Sequence, residues 1–149
     1  MTLPEFSLDI SRVFRAPRER VYQAWMRPED LKQWWHMSAD ATTPFAEVDL
    51  RVGGRYRLGM TPPGSDELFV VTGTFIEIVP PERLVYTWNW ENVAEEPEST
   101  VTVEFRDLGD STEVVINHGR FQSEERRQSH IDGWHGCMNQ LEILMGIAE

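Results

Sequence analysis

Cysteine is nearly absent: Cys137 stands alone in 149 residues. No internal disulfide can staple the fold, and no CxxC or Cys/His cluster has metal-site spacing. Cys137 reads as a packing residue in a reducing compartment. No apolar run approaches the roughly 20 residues that cross a bilayer, and MTLPEFSLDISR lacks the basic and hydrophobic stretches of a signal peptide. A cytoplasmic protein without a membrane partner is expected. Basic residues are few, 14 against 25 acidic, for a formal net charge of −11. Such a field repels nucleic acid and anionic surfaces, so neither is an expected partner.

Catalytic signatures are also missing. The chain has no HExxH, no G-x-S-x-G and no phosphate or dinucleotide glycine loop, since VGGR does not open a helix. His130 and His135, five apart on a helix, do not share a face, and His36 is isolated, so neither a metal nor a cofactor is expected. The acidic pairs Glu95-Glu96 and Glu124-Glu125 lie in solvated stretches and serve solubility.

What the chain does have is tryptophan, six of them, within a 40% hydrophobic composition. That length and composition fit one domain over residues 1–149. Residues 6–14 alternate, which puts Phe6, Leu8, Ile10, Arg12 and Phe14 on one face of a strand. Arg12 on that face needs either a core carboxylate or an anionic ligand group. Ala16-Pro17 opens a short helix with Val21, Ala24 and Trp25 inward, and Pro28-Glu29-Asp30 opens a second carrying Leu31, Trp34 and Trp35.

From residue 43 onward six strands follow, the first two joined through Gly53-Gly54. A helix from Ser123 to Ile147 closes the chain, with Ser123 as cap and an inner stripe of Ile131, Trp134, Met138, Leu141, Met145 and Ala148. Strand, two short helices, six strands and a long helix predict an α+β fold. Its physical solution is a curved antiparallel sheet that grips the last helix, with strand one beside the later strands. Gly133 and Gly136 flank the helix's only tryptophan, although each interior glycine costs roughly 1 kcal/mol. They let the helix approach the sheet, or they leave room beside Trp134 for a guest.

RVFRAPRERVYQAWMRPEDLKQWW, VDLRVGGRYRLGM, VTGTFIEIVPPERLVYTWNW, TVTVEF and HIDGWHGCMNQLEIL, in that order, resemble the Hsp90-ATPase-activator-homologue-like proteins of the START-like, helix-grip superfamily. The resemblance covers nearly the whole chain and implies a helix-grip fold with a cavity between sheet and C-terminal helix. Relatives in that superfamily include an eukaryotic Hsp90 activator domain, binders of hydrophobic ligands and polyketide cyclases. The chain lacks the N-terminal Hsp90-binding domain of the eukaryotic activators, so the resemblance implies the stand-alone bacterial form.

Period two places Tyr86, Trp88 and Trp90 on one strand face. With Tyr56 and Trp134 they are expected to wall the cavity. Polar candidates are Arg12, Asn117, His118 and His130. Val114 and Ile116 share the face of His118, so His118 points inward rather than Asn117, and Arg12 and His118 are taken as the orienting groups. The expected partner is a small hydrophobic ligand. The alternatives are a cyclase- or hydrolase-like enzyme using Arg12 and His118, and a protein-interaction module with an exposed patch at Trp34, Trp35 and Met37. A homodimer through that patch fits equally.

Overall fold

The computed structural model describes residues 6–91, 98–121 and 123–147. Glu95-Glu96 and Ala148 lie outside these described residues. Alternation gives β1 (Phe6–Phe14), followed by α1 (Arg18–Met26) and α2 (Pro28–Trp34). Six strands come next: β2 (Thr42–Val48), β3 (Arg55–Thr61), β4 (Phe69–Val79), β5 (Arg83–Trp90), β6 (Ser99–Asp107) and β7 (Thr112–Phe121). The last element is α3 (Glu124–Ile147). Element order matches the sequence expectation throughout.

The strands form one antiparallel sheet in the order β1-β7-β6-β5-β4-β3-β2. Three register breaks bend it. In β4 an extra residue, the exposed Ile76, sits between Phe75 opposite Tyr86 and Glu77 opposite Val85. In the edge strand β2 the shift falls between Thr42 and Phe45, where Pro44 has no N–H to give a ladder. The third separates Phe6 from Leu8 against β7. A sheet curved in this way is helix-grip architecture, with α3 held in its concave face.

The core is continuous from β1 to α3 and includes Leu8, Phe14, Phe105, Ile116, Met138 and Leu141. Ser123 caps α3 as expected, its Oγ accepting the Arg126 N–H at 3.1 Å. Trp134, Met138, Leu141 and Met145 of the expected inner stripe are buried.

The expected surface patch is corrected. Trp34 and Trp35 are 0% and 4% exposed, and only Met37 reaches solvent. The Trp34 indole N–H donates to the Ala24 carbonyl at 2.8 Å, and its ring lies 4.5 Å from that of Trp25. The tryptophan pair therefore locks α2 onto α1 and the sheet, and of the three expected patch residues Met37 alone is exposed.

Candidate functional site

Gly133 and Gly136 do different work. A Cβ on Gly136 would overlap the backbone of Met37, so this glycine lets the segment after α2 lie against α3. A Cβ on Gly133 would meet nothing within 4 Å. The space beside it is a cavity of about 360 Å³ between the sheet and α3.

Its wall is mostly aromatic. Trp35 from the end of α2, Trp88 and Trp90 from β5 and Trp134 from α3 line it, with Met60 and Phe69 from β3 and β4. The rings form one contiguous surface: Trp88 lies 5.9 Å from Trp35, 5.5 Å from Trp90 and 5.6 Å from Trp134 between centroids. From α3 come Ser129, His130, Gly133 and Cys137, the other three each three or four residues from Gly133, so that one helix face supplies them all. Exposed Met37 and Ser129, with half-buried Pro62, form the rim. Among the described residues no charged side chain lines the cavity.

Three histidines hold three of the wall tryptophans. An indole N–H can only donate, so Nδ1 of His118 is the acceptor for Trp134 at 3.1 Å. Its Nε2 then carries the proton and donates to Ser99 Oγ at 2.8 Å. His130 has the other tautomer: Nδ1 donates to the Arg126 carbonyl at 2.7 Å, and Nε2 accepts from the Trp90 indole at 3.2 Å. His36 fixes the third ring through the backbone. Thr43 Oγ1 donates to the Trp35 carbonyl at 2.7 Å and so must accept from His36 Nδ1 at 3.0 Å. Burial, with a smaller contribution from neighbouring His130, holds the pKa of His118 well below the ordinary histidine value, and burial lowers that of His36.

The expected site residues divide. Trp88, Trp90 and Trp134 are brought together as wall. His118 does point inward with Val114 and Ile116, but it is fully buried behind Trp134 rather than facing the guest space. Tyr56 and Tyr86 turn toward a narrower pocket beneath α1, which Trp35 and Trp88 separate from the main cavity. There the Tyr86 hydroxyl accepts from the Trp25 indole at 3.3 Å, and the Tyr56 hydroxyl donates to the Thr87 carbonyl at 2.6 Å. Arg12 is not in the wall. Its guanidinium donates to Asn139 Oδ1 at 2.6 Å and lies 3.5 Å from Glu142 Oε2, so α3 supplies its partner in place of a core carboxylate or a ligand.

Sequence reasoning missed Trp35, Met60, Phe69 and Cys137 as lining. For the α3 set a signal existed, since Ser129, His130 and Cys137 fall three or four residues from Gly133. Burial pushes the Cys137 thiol up to about 12, so it faces the cavity as a neutral, weakly polar group and not as a nucleophile. Among the described residues no three His, Cys, Asp or Glu side chains converge as a metal-ion ligand set.

Comparison with known proteins places this geometry. The family model described as Activator of Hsp90 ATPase homolog 1-like protein matches residues 15–146. Protein CV1439 from Chromobacterium violaceum is similar in structure at a TM-score of 0.82 and 26% identity, over 93% of this chain and 96% of its own. A protein from Arthrobacter aurescens gives 0.79 and 25%, over 94% and 86%. The AHSA1 protein SPO3351 from Silicibacter pomeroyi shares the fold at 0.83 with 20% identity, over 97% and 100%. No curated protein matches. With 15–146 matched and the helix-grip fold in place, the chain belongs to the Activator of Hsp90 ATPase homolog 1-like family.

Proposed function

We propose that this protein binds a small apolar or aromatic molecule in the cavity between the sheet and α3. One observation carries the reading: about 360 Å³ of space is kept open between four tryptophans, at the point where α3 carries Gly133 and no side chain. The cavity opens to solvent at its rim, so its aromatic faces meet water and lack the close contacts that a packed interior would give them. A guest restores them. The wall also suits binding in being pre-formed, since Trp35, Trp90 and Trp134 are each held by a hydrogen bond to the ring or to its backbone.

An enzymatic use of the same cavity has less support. The proton-transfer pair that a cyclase or hydrolase would need is not assembled, because Arg12 is bonded to α3 and His118 is sealed behind Trp134. Native mass spectrometry of gently purified protein, beside the same sample denatured, tests the binding reading. A co-purifying small molecule of reproducible mass is the expected result. If native mass spectrometry shows bare polypeptide and a panel of two-ring aromatics leaves tryptophan fluorescence unchanged, the reading fails.

A further inference from the structure

Resting on the binding reading, we propose that the cavity selects an uncharged, planar guest of about two fused rings, held with its polar group outward past Ser129. The size follows from volume. An apolar cavity of roughly 150 Å³ accepts benzene, and the space here is about 360 Å³.

Selection against charge follows from how the wall spends its hydrogen bonds. The N–H groups of Trp90 and Trp134 are given to His130 and His118, and both ring nitrogens of His130 are engaged. Burial keeps the Cys137 thiol neutral. Among the described residues no charged side chain lines the cavity to compensate an ion. An ionised guest would therefore exchange its water for aromatic faces and the indole N–H of Trp88, which has no partner among the described residues, too little to replace the hydration of a charge. An anion is disfavoured a second time by the net charge of −11 as it approaches.

A cation would be attracted by that charge and by ring faces. The tryptophans, however, pack against one another with centroids 5.5 to 5.9 Å from Trp88. They make a wall along one side and not a cage around a point, which fits a flat neutral ring better than a compact ammonium. Orientation follows from the rim, where the exposed Ser129 hydroxyl and solvent receive the polar group.

The test is calorimetric titration of the native chain with 2-naphthol, 2-naphthoate and 2-naphthyltrimethylammonium near neutral pH. A triethylene glycol ether of 2-naphthol and the variant Gly133→Leu complete the set. The expected result is that 2-naphthol binds at least about tenfold more tightly than either ion. Its glycol ether should bind within about fivefold of it, and Gly133→Leu should abolish both. Equal or tighter binding of either ion, lost in Gly133→Leu, overturns the selection for neutral guests while leaving the cavity a binding site. Loss of the glycol ether alone overturns the outward orientation. Binding that survives in Gly133→Leu places the probes elsewhere and overturns the proposal, and no binding by any probe overturns the binding reading with it. Should Gly133→Leu not fold, Ser129→Trp at the exposed rim replaces it with the same outcomes.

Discussion

The indole N–H of Trp134 ends on Nδ1 of His118, 3.1 Å away, and the Nε2–H of that imidazole donates in turn to Ser99 Oγ. A fully buried side chain on β7 thus sets the angle of a ring on α3 that walls the cavity. Replacing His118 by phenylalanine keeps the ring volume and removes both bonds, which strands the Trp134 N–H and the Ser99 hydroxyl away from water. Each stranded group costs about 1–3 kcal/mol. His118→Phe is expected to lose about 3 kcal/mol of stability in urea unfolding. It should also broaden and shift Trp134 fluorescence. Unchanged stability would show that the bond does not hold the ring.

Acid should loosen the same wall. His118 and His36 have folded pKa values below the ordinary 6.5, so the unfolded chain takes up their protons first as pH falls. In that window the unfolded state binds more protons, and stability rises with pH. Stability is expected to be flat above about pH 7 and to fall progressively below about 6.5. The exposed carboxylates Glu29 and Glu91, whose values are lowered by hydrogen bonding, act only below 4.5 and do not overlap it. Urea midpoints measured from about pH 5 to pH 8 check this. The slope should shrink in His118→Phe, and an unaltered slope would assign the acid sensitivity elsewhere.

The two glycines of α3 should respond to alanine with opposite signs. Gly133→Ala places a methyl into open space and gains helix propensity, so it is expected to stabilise by up to about 1 kcal/mol. Gly136→Ala gains the same propensity but drives its methyl into the Met37 backbone, which cannot rotate aside as a side chain could. A net loss of about 1–3 kcal/mol is expected. Thermal unfolding of the pair measures both. Destabilisation by Gly133→Ala would mean that the space beside it is smaller than the structure gives.

How much of this was legible in the sequence depends on the element. Period two fixed the inward faces of β1, β5 and β7, so Arg12, Trp88 and His118 sit on the faces expected of them. What alternation cannot supply is depth along a face. Arg12 lies toward Asn139 and Glu142 of α3, away from the cavity, and Tyr86 lies beneath Trp25 of α1, although both share a face with cavity residues. The Trp34-Trp35 pair misled for a related reason. A seven-residue helix has too few turns to show which side it buries, and the contacts of α2 with β2, α3 and α1 decide it. The pinning of tryptophans by histidines joins β5 to α3 and β7 to α3, pairings that no local pattern encodes.

A last contrast lies between two tryptophans of the same wall. Trp134 has its N–H satisfied by His118, whereas the buried N–H of Trp88 has no hydrogen-bond partner among the described residues. Trp88 therefore carries a desolvation cost of about 1–3 kcal/mol that Trp134 does not. Phenylalanine at either position loses a similar amount of ring contact. At position 134 it also orphans Nδ1 of a fully buried imidazole, while at 88 it removes a donor that was already unsatisfied. Trp88→Phe is accordingly expected to cost at least about 1 kcal/mol less than Trp134→Phe in chemical denaturation. The reverse order would mean that a bound water or guest satisfies Trp88. Ring-current shifts at His118 should follow the opposite order, because it lies 4.9 Å from Trp88 and 6.2 Å from Trp134, but it takes its hydrogen bond only from the latter. Its tautomer signature should survive the change at 88 and be lost with the change at 134.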